Sequence, residues 1–214
     1  MTADLAAMRR DYAARGLVED DVLADPLAQF ERWFEDARTA GIFEPNAMTL
    51  ATVGEGGQPA ARVVLLKGLD PRGLAFFTNF DSRKAREIAA NAKGALVFWW
   101  GPLARQVRFE GPIERTADAE AEAYFASRPR GSQIGAWASA QSQVIASRSA
   151  LQEAAEACER RFAGGPVPRP PFWGGFRLVP VYAEFWQGQT DRLHDRLRYR
   201  PDDAGGWRIE RLAP

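Results

Sequence analysis

The feature that most restricts this chain is a run of short apolar segments broken at close intervals by Gly, Pro and Asp. Val-, Leu- and Phe-rich stretches lie at 47–53, 60–67, 73–78, 94–100 and 105–114, and again at 180–187, 192–200 and 206–212. Segments this short, closed by turn residues, read as strands joined by tight turns, and tight turns join antiparallel neighbours. The expected architecture is therefore mainly β with peripheral α: an all-antiparallel barrel interrupted by helices.

The helical period appears elsewhere. Asp25 is placed to cap a helix with Pro26 at its first position, and Leu27, Phe30, Phe34 and Ala37 recur at three- and four-residue spacing until Gly41. Further helices are expected at 82–91, 117–128 and 147–162, and a short polar helix at 3–15, while 163–175, rich in Gly and Pro, reads as a stiff loop. Residues 1–24 are expected to form a helix and connector ahead of a single domain over 25–214.

Composition removes several classes of function. Lys plus Arg number 28 and Asp plus Glu number 28, so no net positive field is available to grip nucleic acid. One cysteine, Cys158, excludes an intrachain disulfide or a CxxC motif, and one histidine, His194, excludes a multi-histidine metal site; no metal is expected. The N-terminus lacks a signal-like apolar core and no apolar run approaches membrane-spanning length, so a soluble, cytoplasmic protein without membrane contact is expected. No GxSxG elbow or Walker sequence occurs, and Gly54, Gly56 and Gly57 fall between two strands, as a hairpin turn does. A β-rich chain without nucleophile or metal points to borrowed cofactor chemistry.

Several clusters suit anions. Arg62 and Lys67 bracket an apolar strand, a pattern that also fits an ordinary buried strand with polar ends. Asp81-Ser82 start a helix whose first turn carries Arg83 and Lys84, cations at the unfavourable end of the dipole unless an anion joins them. Tyr124 and Arg128 share a helix face just before Ser132, as phosphate contacts or as a solvated helix end. Gln141, Ser142 and Gln143 offer amides and a hydroxyl. In Arg192-Leu193-His194-Asp195-Arg196, strand alternation would put Arg192, His194 and Arg196 on one face, a pocket for an acidic, phenol-bearing substrate or a solvated charged face.

These blocks, in order and spacing, resemble pyridoxine/pyridoxamine 5′-phosphate oxidases, from about residue 9 to the C-terminal Arg-Leu-Ala-Pro. They are RVVLLKG at 62–68, FTNFDSRKA at 77–85, RQVRFEG at 105–111, YFASRPRGSQIGAWAS at 124–139 with QS at 141–142, and FWGGFRL followed by EFWQGQTDRLHDR through Arg196. The resemblance implies an FMN-binding split β-barrel with flanking helices, working as a homodimer with FMN at the interface, its C-terminal segment serving dimerisation and substrate binding. It assigns cofactor contacts to Arg62, Val63, Val64, Leu65, Leu66, Lys67, Phe77, Thr78, Arg83, Lys84, Gln106, Gln141, Ser142, Trp186 and Arg196. It assigns the substrate to Lys67, Tyr124, Arg128, Ser132, Arg192, Leu193 and His194, with Arg192 and His194 as the catalytic pair over the pyridine ring, and to Arg9, Arg10, Asp11 and Tyr12 in a segment that can close over the site. Phe77 departs from the family, which often has tyrosine there.

The activity so implied is oxidation of pyridoxine 5′-phosphate and pyridoxamine 5′-phosphate by O2 to pyridoxal 5′-phosphate, a step of vitamin B6 salvage. Two other readings stay open on the residues alone: a split-barrel flavin reductase acting on another substrate, and a noncatalytic flavin- or pyridoxal-phosphate-binding protein.

Overall fold

The structure, a computed structural model, describes residues 16–214; the expected helix at 3–15 and Arg9, Arg10, Asp11 and Tyr12 lie outside the described residues. Five α-helices and ten strands are formed among the described residues: α1 Pro26–Thr39, β1 Ala47–Val53, β2 Pro59–Leu65, β3 Gly68–Asp70, β4 Gly73–Asn79, α2 Arg83–Ala90, β5 Lys93–Trp100, β6 Arg105–Arg115, α3 Asp118–Ser127, α4 Arg130–Ala138, α5 Arg148–Arg161, β7 Trp173–Leu178, β8 Tyr182–Gln187, β9 Asp195–Pro201 and β10 Trp207–Arg211. The described residues divide into two compact units, one of residues 16–49, Ala95–Gly111 and Pro180–Pro214, the other of Leu50–Gly94 and Pro112–Val179.

In the first unit β6, β8, β9 and β10 pair antiparallel in that order. The register sets Val107 opposite Phe185 and Phe185 opposite Leu197, with Ala183 opposite Tyr199 in the next rank, and all five are buried. Alternation along each strand thus supplies one continuous apolar face. Helix α1 covers apolar residues of this unit: Asp25 Oδ1 accepts from Leu27 N at 2.6 Å and Ala28 N at 3.1 Å, Pro26 takes the first turn, and Phe30 packs on Phe98 at 4.7 Å between ring centres. Tyr199 donates to the Leu23 carbonyl at 2.8 Å, which ties the connector before α1 to the sheet.

In the second unit β4 is buried along almost its whole length and pairs antiparallel with β3 on one side and β7 on the other. Helices α3, α4 and α5 pack around Phe125, Ile134, Val167 and Trp173, and Cys158 lies partly buried against that cluster, a packing role for the thiol.

Three expectations need correction. The stretch 163–175 is loop only as far as Phe172, because Trp173–Leu178 is a fully buried strand. Its Gly174 and Gly175 are required by packing: a Cβ at Gly174 would come within 2.5 Å of Phe80 Cζ, and one at Gly175 would meet Thr116 and come within 2.7 Å of Phe77 Cε1. Arg130–Ala138, read as the region beyond a helix end, is itself a helix. The strand expected from residue 192 starts at Asp195, because Asp191 and Arg192 have φ of 53° and 60° and close a turn in which Leu193 N donates to the Thr190 carbonyl at 3.0 Å. Strand alternation therefore does not set Arg192, His194 and Arg196 on one face.

Candidate active site

In the second unit β2, β4, α2, α3, α4 and β7 enclose a cavity of about 540 Å³, large enough for a drug-sized molecule. Of the residues assigned to the substrate phosphate, Lys67, Tyr124, Arg128 and Ser132 all line it. Of those assigned to the cofactor, Val63, Val64, Leu65, Lys67, Phe77, Thr78, Lys84 and Gln141 line it as well. Segments far apart in sequence thus converge on one concavity. Asn79, Gly135, Ala136, Ser139 and Trp173 also line it without having been singled out, and three of these lie on or just after the unforeseen helix α4 and one on β7.

One wall is aromatic. Phe77 stacks on Tyr124 at 4.3 Å and on Trp173 at 5.6 Å, nearly parallel to both. The register explains why Phe77 can lie flat: it sits opposite Gly175 across the β4–β7 pair, where no Cβ intrudes. Arg128 completes the stack with its guanidinium 4.8 Å from the Trp173 ring centre. Arg128 Nη1 is buried, and among the described residues it has no hydrogen-bond partner. Burial draws the pKa of this arginine below its usual value, with only the nearby Tyr124 opposing the shift. A cation that lines a cavity and has an N–H still unpaired can take an anionic partner there.

A second cationic group stands at the start of α2. Ser82 caps the helix, accepting from Ala85 N at 3.4 Å. Lys84 Nζ donates to Thr78 Oγ1 at 3.0 Å and to Gln141 Oε1 at 2.9 Å. Burial lowers the Lys84 pKa, the charge of Arg62 lowers it further, and Glu87 works against both. Arg62 and Arg83 do not line the cavity. Both are held by Glu87, whose Oε2 accepts from Arg62 Nη2 at 2.7 Å and whose Oε1 accepts from Arg83 Nε at 2.7 Å. Thr52 Oγ1 adds a bond of 2.6 Å to the same carboxylate. Burial pushes Glu87 up, but the bonds from Thr52, Arg83 and Arg62 outweigh it, and the carboxyl titrates below its ordinary range. Glu87 is a site-region residue that the sequence reading missed. Leu66 is buried away from the cavity lining, and Ser142, with φ of 70°, is exposed in the turn after Gln141.

The other assigned residues belong to the first unit. Gln106 and Trp186 are register partners on β6 and β8. Trp186 lies 5.8 Å from Trp99 and 4.7 Å from the His194 ring. His194 Nδ1 accepts from Gln189 N at 3.0 Å, and Leu193 is 70% exposed. Arg196 Nε donates to Glu184 Oε1 at 2.9 Å, and its Nη1 to the Ala213 carbonyl at 3.0 Å. Burial would raise the Glu184 pKa, yet the bonds from Arg196 and Tyr182 with the charges of Arg108 and Arg196 hold it below the usual carboxylate range.

A family model described as pyridoxamine 5′-phosphate oxidase matches residues 34–161, and one described as the pyridoxine 5′-phosphate oxidase C-terminal dimerisation region matches residues 173–214. The chain belongs to the pyridoxamine 5′-phosphate oxidase family. The pyridoxine/pyridoxamine 5′-phosphate oxidase of Rubrobacter xylanophilus is 57% identical over 99% of this chain and 97% of its own length, and that of Cupriavidus taiwanensis is 54% identical over 98% and 99%. Among solved structures, PhzG from Burkholderia lata, in complex with tetrahydrophenazine-1-carboxylic acid, aligns at a TM-score of 0.88 and 31% identity, covering 95% of this chain and all of that one. Membership in the oxidase family bears out the split-barrel fold and FMN as cofactor. The cavity suits such a cofactor, since the cluster of Lys84, Thr78 and Gln141 offers a cation, a hydroxyl and an amide to a phosphate, beside a floor of Val63, Val64 and Leu65. Among the described residues no group of three or more His, Cys, Asp or Glu could hold a metal ion, and no helix is long and apolar enough to cross a membrane.

Proposed function

We propose that this chain is a cytoplasmic, homodimeric FMN-dependent oxidase that converts pyridoxine 5′-phosphate and pyridoxamine 5′-phosphate to pyridoxal 5′-phosphate, releasing ammonia from the amine. The observation that carries the reading is the buried, unpartnered Nη1 of Arg128 in a cavity also lined by Lys67, Tyr124 and Ser132. A phosphorylated substrate supplies the missing acceptor.

Residues have distinct tasks in this account. Lys67, Tyr124, Arg128 and Ser132 hold the substrate phosphate, so that the reacting carbon is presented in one orientation. Lys84, Thr78 and Gln141, with Arg62 and Arg83 behind them, hold the cofactor phosphate, and Gln106, Trp186, Arg196 and Ser142 complete its binding from the dimer. Arg192 and His194 orient the pyridine ring, assisted by Leu193, and the segment containing Arg9, Arg10, Asp11 and Tyr12 closes over the bound substrate. FMN held by these residues would supply the redox chemistry, with the substrate as reductant and O2 as the oxidant, reduced to hydrogen peroxide.

The likeness to PhzG favours a second reading, oxidation of a reduced phenazine carboxylate. The oxidases named for pyridoxine phosphate are much closer in sequence, at 54% to 57% identity against 31%. Anaerobic mixing of FMN-loaded protein with pyridoxine 5′-phosphate, without nicotinamide, separates the readings. Bleaching of the flavin absorbance is expected; a flavin left unreduced by pyridoxine 5′-phosphate that bleaches with tetrahydrophenazine-1-carboxylic acid instead would overturn the proposal.

A further inference from the structure

The turn that ends at His194 is built at a conformational cost. Asp191 and Arg192 hold φ of 53° and 60° in succession, a left-handed conformation that residues with a Cβ seldom adopt. Such strain persists only where surrounding contacts enforce it. The carboxylate of Asp195 ties down the residues that flank the turn. Its Oδ2 accepts from Gln189 Nε2 at 2.9 Å and from Leu17 N at 3.0 Å, and its Oδ1 accepts from Arg211 Nη1 at 2.7 Å. Gln189 precedes the turn and Asp195 follows it, so their bond clasps the two ends of the segment together.

Within the clasp the Gln189 backbone N–H donates to His194 Nδ1 at 3.0 Å. A ring nitrogen that accepts a hydrogen bond carries no proton, so the proton of the neutral imidazole is on Nε2. The Trp186 ring, 4.7 Å away, packs against the imidazole.

Building on the function proposed above, we propose that Gln189 and Asp195 are positioning residues that hold His194 as an Nε2–H hydrogen-bond donor for an electron-rich oxygen of the substrate. Neither residue needs to touch the substrate. Gln189 carries the hydrogen bond that selects the tautomer, and Asp195 keeps Gln189 in place against the strain of the turn.

His194 is the only histidine of the chain, so protein labelled with 15N-histidine gives the resonances of a single imidazole. In mildly alkaline buffer, FMN-loaded wild-type protein is expected to show the Nε2–H tautomer. Gln189→Ala, which cuts the clasp but leaves the fold's other contacts, is expected to show an admixture of the Nδ1–H form. It should also lose about tenfold in kcat/KM, a modest fraction of what misplacing a reacting group can cost, at unchanged FMN content. Asp195→Asn is expected to act in the same direction. An Nδ1–H tautomer in the wild type would overturn the inference, as would two variants with wild-type spectra and kinetics. Because the tautomer is read without substrate, failure of the functional reading shows separately, as a wild-type protein that has the Nε2–H tautomer and oxidises neither phosphate.

Discussion

Arg62 Nη2 lies 2.7 Å from Glu87 Oε2, and the same carboxylate takes Arg83 Nε, so one buried acid holds two of the arginines assigned to the cofactor phosphate. Removing it takes the carboxylate acceptor from Arg62 Nη2 and Thr52 Oγ1, leaving Arg62 only the bonds of its Nη1 to the Leu50 carbonyl and Thr52 Oγ1. Glu87→Ala is expected to cost flavin-free protein on the order of 2–4 kcal/mol, read by urea unfolding. Glu87 titrates below its ordinary value of 4.5, so its contribution is full above that pH and is lost as pH falls through the lower folded value. The gap between wild type and Glu87→Gln should therefore narrow on acidification below about pH 4.5; a gap independent of pH would contradict the ionised carboxylate.

Arg128 carries the substrate argument and can be tested alone. Arg128→Met keeps much of the stem that packs on Trp173 while removing the charge. It is expected to raise KM for pyridoxine 5′-phosphate by about 10- to 100-fold, the equivalent of a charge-assisted hydrogen bond. FMN content should stay at the wild-type level, and KM for unphosphorylated pyridoxine should be nearly unchanged.

Lys84 gives a pH dependence on the alkaline side. Its folded pKa is lowered, first by burial and then by Arg62, so the charged form is penalised in flavin-free protein and the penalty is relieved as pH rises through the lowered value. The same deprotonation removes a cation from the cofactor phosphate. FMN affinity is thus expected to fall as pH approaches the lowered Lys84 value, below the ordinary 10.5. Fluorescence titration of FMN should show this limb in the wild type and lose it in Lys84→Met, which binds FMN more weakly at neutral pH.

Phe77, the visible departure from the family, packs in a cluster of three rings, 4.3 Å from Tyr124 and 5.6 Å from Trp173. Phe77→Tyr is expected to fold normally and to change the FMN Kd by less than about threefold, within the range of one exposed polar contact. Phe77→Ala should destabilise the protein by about 3–5 kcal/mol and raise KM for the phosphorylated substrate, because Tyr124 loses its stacking partner.

The residues show why some features were legible and others were not. Helix α1 was readable because Asp25 and Pro26 announce it locally, and β1 because its short apolar run is closed by the glycines that begin at Gly54. Helix α4 was not, since it buries only Ile134 and carries Gly131 and Gly135, which read as breakers. Strand β7 was hidden for the same reason, as Gly174 and Gly175 look like loop until Phe80 and Phe77 are seen lying over them. The left-handed turn at Asp191 and Arg192 leaves no mark in residue types, and Glu87 joins partners on three elements. The phosphate-contact residues were legible through family motifs, whereas their convergence on one cavity required the fold.

Oxidase activity is read by incubating FMN-loaded protein in air with pyridoxine 5′-phosphate and with pyridoxamine 5′-phosphate, and measuring pyridoxal 5′-phosphate and hydrogen peroxide in the same samples. Equal molar formation of aldehyde and peroxide, with no nicotinamide added, is the predicted result. A protein that retains its FMN yet forms neither product from either substrate would contradict the account.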